Sequence, residues 1–144
     1  MKRMIIFCML FFCSTMMLTA ASPRTVKYKQ ILNKIGVLKR LMKDKDAELL
    51  HTPENFVEGC LSTAVTCFKN GTLKLQPASN QDKGAFTKAI RTVQNFTYRN
   101  SGKNCELYEK TCESYEKKTP KEFLKGFENL MQMLYKNECR THQS

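Results

Sequence analysis

Apolar residues recur at three- and four-residue steps in four separate stretches of this chain, and polar or helix-breaking residues separate the stretches. Over residues 25–44, Tyr28, Ile31, Leu32, Ile35, Leu38, Leu41 and Met42 follow a 3.6-residue period, and lysines fill the opposite face. This predicts helix A, a rod of roughly 30 Å at ~1.5 Å per residue. Gly36 inside it costs about 1 kcal/mol relative to alanine. Thr52-Pro53-Glu54-Asn55 reads as a cap followed by proline, which opens helix B. Its apolar positions are Phe56, Val57, Cys60, Leu61, Ala64, Val65 and Phe68, with Cys60 and Cys67 expected on one face. Asn70-Gly71 is expected to end it through glycine's access to left-handed geometry.

A polar connector over residues 72–80, with Pro77 in it, leads to helix C, whose apolar positions are Phe86, Ala89, Ile90 and Val93. Gly84 and the threonines lower its propensity. Residues 98–118 form a long connection holding Cys105 and Cys112. Thr72-Leu73-Lys74-Leu75 alternates over too few residues to define a strand, and strong β signals are absent.

Helix D has the sharpest start. In Thr119-Pro120-Lys121-Glu122 the hydroxyl can accept from the N3 amide, and the glutamate can reach back to the Thr119 amide. Pro120 falls at N1, where its missing N–H costs nothing. Phe123, Phe127, Leu130 and Leu134 then mark one helical face, widened by Leu124, Met131 and Tyr135. Four helices with long connections imply an all-α bundle.

Met1-Lys2-Arg3, the apolar run over residues 4–12 and Thr19-Ala20-Ala21-Ser22 read as a secretory signal peptide. A transmembrane anchor would need about 20 apolar residues, and Ser14 and Thr15 interrupt this run. Cleavage after Ala21 gives two regions, a leader over 1–21 and a single domain over 22–144. The expected product is secreted, extracellular and monomeric, with no membrane insertion. The leader holds two of the 24 basic residues and none of the 13 acidic ones, so the remainder is 22 basic against 13 acidic, a net +9. Such a charge suits sulfated glycans or acidic receptor surfaces. Nucleic acid is a poor partner for an extracellular chain.

Outside the leader's Cys8 and Cys13 lie Cys60, Cys67, Cys105, Cys112 and Cys139. In an oxidising compartment two bridges and one leftover thiol are expected. Spacing alone leaves all 15 arrangements of two bridges among five cysteines open. The close pairs are spaced C-x6-C, unlike zinc sites, so no metal is expected. No nucleophile elbow or paired-carboxylate motif appears, and His51 and His142 lie in loop-like and tail positions, so no catalytic residues and no cofactor are expected. Asn70-Gly71-Thr72 and Asn95-Phe96-Thr97 are N-glycosylation sequons.

S-Y-E-K-K-T-P-K-E-F-L, preceded by Cys112 and followed by F-x-x-L-M-Q-M, resembles the C-terminal helix of interleukin-21, and more distantly interleukin-15 and interleukin-2. The match is nearly unbroken over residues 113–124 and then loosens. The resemblance implies a short-chain four-helix bundle cytokine with up-up-down-down topology and two disulfides, Cys60–Cys105 and Cys67–Cys112. It implies a clamp that joins an interleukin-21-receptor-like private chain, through helices A and C, to the common cytokine receptor gamma chain, through helices A and D. The joined chains would activate kinase–STAT signalling in lymphocytes. By position, Val26, Lys27, Lys29, Gln30 and Arg91 are candidates for the private face, and Gln132 and Tyr135 for the gamma-chain face. The chain departs from interleukin-21 in its C-x6-C second cysteine pair, where C-x2-C is the pattern, in lacking the dense basic run after helix C, in Cys139 and in Asn33, where an acidic residue is usual. The alternatives are an interleukin-15-like or interleukin-2-like cytokine, or a basic secreted glycan-binding or host-defence protein.

Overall fold

A computed structural model describes the backbone of residues 23–143 and the side chains of residues 24–138. The expected leader and the side chains of Cys139 and His142 lie outside the described residues. Four helices carry the fold: α1 (Pro23–Leu41), α2 (Ser62–Thr72), α3 (Lys83–Gln94) and α4 (Pro120–Gln143). Two residues of β1 (Leu50–His51) pair antiparallel with β2 (Lys117–Lys118). Among the described residues no helix is long and apolar enough to cross a membrane.

Helix directions follow from a few pairwise contacts. Lys39 pairs with Glu128 at 3.3 Å, and Asp44 accepts from the Lys121 amide at 3.0 Å. Moving up α1 is therefore moving down α4, and the two are antiparallel. Phe68 stacks on Phe127, and Gly71 meets Phe123, so α2 is also antiparallel to α4. Tyr28, near the start of α1, meets Phe96, just past the end of α3, at 5.8 Å. The result is up-up-down-down, with long crossovers over residues 42–61 and 95–119 and a short link over 73–82.

The α4 stripe builds the core as expected. Phe123, Leu124, Phe127, Leu130 and Met131 are fully buried, and Leu134 nearly so. Phe68 of α2 inserts between two of them, 4.9 Å from Phe127 and 5.3 Å from Phe123 between ring centres. Such ring pairs add about 0.5–1.5 kcal/mol each beyond area burial. Ile31, Ile35 and Leu38 from α1 and Phe86, Ala89 and Val93 from α3 close the other side.

Helix B begins later than its apolar pattern implies. Residues 52–61 are irregular, and α2 starts at Ser62. Thr52 is not a cap: its hydroxyl donates to the Leu50 carbonyl at 2.9 Å, and its N–H donates to the Glu116 carbonyl at 3.0 Å, extending the β1–β2 contact. Asn55 and Gly59 take positive φ of 60° and 86°, which a right-handed helix cannot hold. Cys60 therefore precedes the helix, and Cys67 alone of the two lies on it. Nor does Gly71 end α2. The helix runs on to Thr72, and its cap Leu73 is right-handed, with φ −66°. Gly71 serves packing instead, because a Cβ there would overlap the Phe123 ring.

The starts of α2 and α4 each borrow an acceptor from distant chain. Asn100 Oδ1 accepts from the Ser62 amide at 2.9 Å, and Asp44 Oδ1 accepts from the Lys121 amide. At α4 the local cap forms as well, with the Glu122 amide donating to Thr119 Oγ1 at 3.2 Å. The Thr119 hydroxyl also lies 3.3 Å from the Glu122 carboxylate.

Candidate receptor-binding surfaces

One bridge joins the two crossovers to each other, and the other ties the second crossover to α2. Cys60–Cys105 and Cys67–Cys112 each span 45 residues, with Cα atoms 5.2 and 5.5 Å apart. Around the first, the Gly59 carbonyl accepts from the amides of Ser101 and Gly102 at 2.9 and 2.8 Å. A Cβ on Gly59 would come within 3.0 Å of the Gly102 backbone, so glycine is needed there for approach as well as for φ. The C-x6-C spacing of the second pair is accommodated by two short 3₁₀ turns, Cys105–Leu107 and Cys112–Ser114.

On α1, Val26, Lys27, Lys29 and Gln30 are exposed, as is Arg91 on α3. They do not form one strip. Val26 and Gln30 are four residues apart and share the outer face, whereas Lys27 and Lys29 lie about 200° apart around the axis and flank it. Asn33 is exposed on the same outer face as Val26 and Gln30.

On α4, Gln132 is exposed and Tyr135 is half-buried, packed against the core cluster. The structure brings Gln132 together with Asn129, Met133 and Lys136 on its own helix and with Phe56 and Glu58 across from it. These residues line an open cleft of about 390 Å³, and Tyr135 is not part of its wall. A second depression of about 420 Å³, sharing Phe56 and Asn129, continues it towards Thr52 and Lys118. The loop approaches α4 this closely because of Gly126, whose Cβ would sit 3.2 Å from the Thr52 methyl and 3.4 Å from the Phe68 ring. Phe56 and Glu58 are missed by periodicity, which assigns them to helix B. The signal that could have found them is Asn55 and Gly59, two residues that tolerate positive φ, bracketing Phe56.

Both sequon asparagines are exposed, Asn70 in the last turn of α2 and Asn95 directly after α3. Thr72 is fully buried. Its hydroxyl donates to the Lys69 carbonyl at 2.6 Å and accepts from the Gln94 amide at 2.9 Å, tying α3 to the end of α2. His51 is committed to structure: Nδ1 lies 2.7 Å from the Tyr115 carbonyl. Among the described residues no group of three or more His, Cys, Asp or Glu could hold a metal ion.

Four helices in up-up-down-down order, with the two long crossovers bridged to each other and the second bridged to the second helix, define a short-chain four-helix bundle cytokine. A family model described as Interleukin 15 matches residues 5–136, and the chain belongs to that family. The match overturns the closer resemblance to interleukin-21. The resemblance to interleukin-21 is nearly unbroken only over residues 113–124, the end of the second crossover and the first turn of α4, whereas the interleukin-15 match runs through all four helices and both crossovers. Family membership makes the protein a non-enzymatic cytokine whose general role is receptor binding.

Proposed function

We propose that the protein is a secreted interleukin-15-like cytokine that draws together a private cytokine receptor chain and the common gamma chain, and so starts kinase–STAT signalling in lymphocytes. The leader-like first 21 residues, removed on secretion, support the extracellular part of this reading. The observation that carries the rest is the division of labour on α4. Phe123, Leu124, Phe127, Leu130, Met131 and Leu134 are spent on the core, while Asn129, Gln132 and Lys136 stay outside beside Phe56 and Glu58.

Gln132, with one donor and one acceptor group free for a partner, is the centre of the proposed gamma-chain face. Tyr135 adds the exposed part of its ring at the margin. The private chain is assigned to Val26 and Gln30 on the outer strip of α1, with Lys27, Lys29 and Arg91 at its edges. Glycans at Asn70 and Asn95 are part of the proposal, and both sites stand clear of the α4 cleft lining.

The test is a panel of purified receptor ectodomains, each offered alone and with the common gamma-chain ectodomain. Saturable binding to one private chain, strengthened when the gamma chain is added, is the expected result. A panel in which the gamma chain never adds to binding refutes the two-chain reading.

A further inference from the structure

Charge is divided unequally over this bundle. Helix α1 carries six lysines and arginines and α3 carries three, and neither contains an aspartate or glutamate. All 13 acidic residues of the chain lie elsewhere. The two helices pack side by side, so the cations on their adjoining outer surfaces lie on one side of the bundle.

Helical geometry draws four of these cations together. Lys27 and Lys34 are seven residues apart, two turns on the same side of α1, and Lys88 and Arg91 are three apart on the outer side of α3. The Tyr28–Phe96 contact sets the levels. Six residues along α1 from it, about 9 Å, is Lys34, and five residues back along the antiparallel chain, about 8 Å, is Arg91. Lys27, Lys88 and Arg91 are exposed and Lys34 is half-exposed. Three acids border these helices. Glu128 pairs with Lys39 on the α4 side, Asp82 precedes α3, and Glu138 is close enough to bear on the Tyr28 hydroxyl.

We infer that the α1–α3 face is a binding site for a sulfated polysaccharide of the heparan type, centred on Lys27, Lys34, Lys88 and Arg91. Three of these four are lysines, compact point charges on flexible stems, which suit anionic groups repeated along a chain. A linear polyanion gains by releasing its condensed counterions at each cation it meets, so a carboxylate-free strip binds it better than scattered charge of the same total. The site is independent of the receptor reading, although it shares Lys27 and Arg91 with the proposed private face. Bound glycan and private chain should then exclude one another.

The experiment measures binding of the full secreted chain to immobilised heparan sulfate across a salt series. Variant one is Lys27→Gln, Lys34→Gln, Lys88→Gln and Arg91→Gln. Variant two removes the same charge from an acid-containing segment, by Lys103→Gln, Lys110→Gln, Lys117→Gln and Lys121→Gln. Helical content by circular dichroism shows that both fold. Variant one should lose about tenfold or more in affinity and show a clearly shallower salt dependence, with variant two close to the parent. Equal losses in the two variants would mean diffuse net-charge attraction and would overturn the site. So would undiminished binding to chemically desulfated heparin, or binding to anionic phospholipid vesicles with none to heparan sulfate.

Discussion

Gly71 of α2 and Phe123 of α4 share one space: a Cβ on the glycine would fall 2.7 Å from Cε2 of the ring, with Cζ closer still. The ring cannot retreat easily, since it is fully buried and lies 5.3 Å from the Phe68 ring. The glycine is thus what lets α2 and α4 approach at the core's aromatic cluster.

Gly71→Ala should therefore destabilise the fold despite alanine's better helix propensity. Overpacking costs about 1–3 kcal/mol, against a gain of about 1 kcal/mol from replacing a helical glycine. A net loss of about 1 kcal/mol is expected, read as a lower denaturant midpoint with unchanged slope. An unchanged or raised midpoint would show that Phe123 has room to move.

Asp44 and Thr119 hold the start of α4 from two directions, one from the end of α1 and one locally. Asp44→Ala and Thr119→Ala should each cost about 1 kcal/mol. Asp44→Asn keeps the acceptor and should lose less. Amide exchange at Lys121 and Glu122 is the direct readout, with faster exchange expected at the residue whose acceptor was removed.

Burial raises the pKa of Tyr28 above the free-tyrosine value, with Glu138 adding to the rise and Arg24 opposing it. Tyr98 is raised chiefly by burial too. A phenol with a raised pKa holds its proton more tightly when folded. Its contribution is whole below the unfolded value of about 10 and is lost as pH climbs through the folded value. Tyr28→Phe should flatten the fall in stability above pH ~10, and equal slopes in parent and variant would contradict this.

Each disulfide closes a loop that the chain-entropy account values at roughly 4 kcal/mol. Cys67→Ser with Cys112→Ser should cost more than Cys60→Ser with Cys105→Ser, because Cys67 is buried within α2 and Cys60 lies in the loop before it. Thermal melts of the two paired variants rank them. Peptide mapping without reductant should recover only the 60–105 and 67–112 pairs among these four.

Gln132→Asp together with Tyr135→Asp should leave folding and private-chain binding intact while abolishing STAT activation. A carboxylate buried without a partner in the second interface is costly, and Glu58 across the cleft adds a like charge. Full signalling by the folded double variant would remove these residues from the gamma-chain face.

The presence and approximate places of α1, α3 and α4, with helix A expected over 25–44 and found as Pro23–Leu41, the buried stripe on α4 and its hydroxyl cap were legible from local pattern. Periodicity and capping are properties of neighbours in sequence, and Phe123, Phe127 and Leu130 obey them without outside help. The pairing of Cys60 with Cys105 and of Cys67 with Cys112 came from resemblance, since spacing left it open. What only the tertiary structure decided was set by contacts far apart in the chain. Residues 52–61 carry enough apolar side chains for a helix, but Thr52 bonds to Glu116, Gly59 to Ser101 and Gly102, and Cys60 to Cys105. Those distant partners, together with positive φ at Asn55 and Gly59, outweigh the few tenths of a kcal/mol per residue that helix propensity offers. The same balance packs Gly71, in the last turn of α2, against the Phe123 ring instead of in a left-handed cap, and sets Phe56 and Glu58 across from Gln132. A local code cannot express either outcome, because each depends on which surface the other helices leave free.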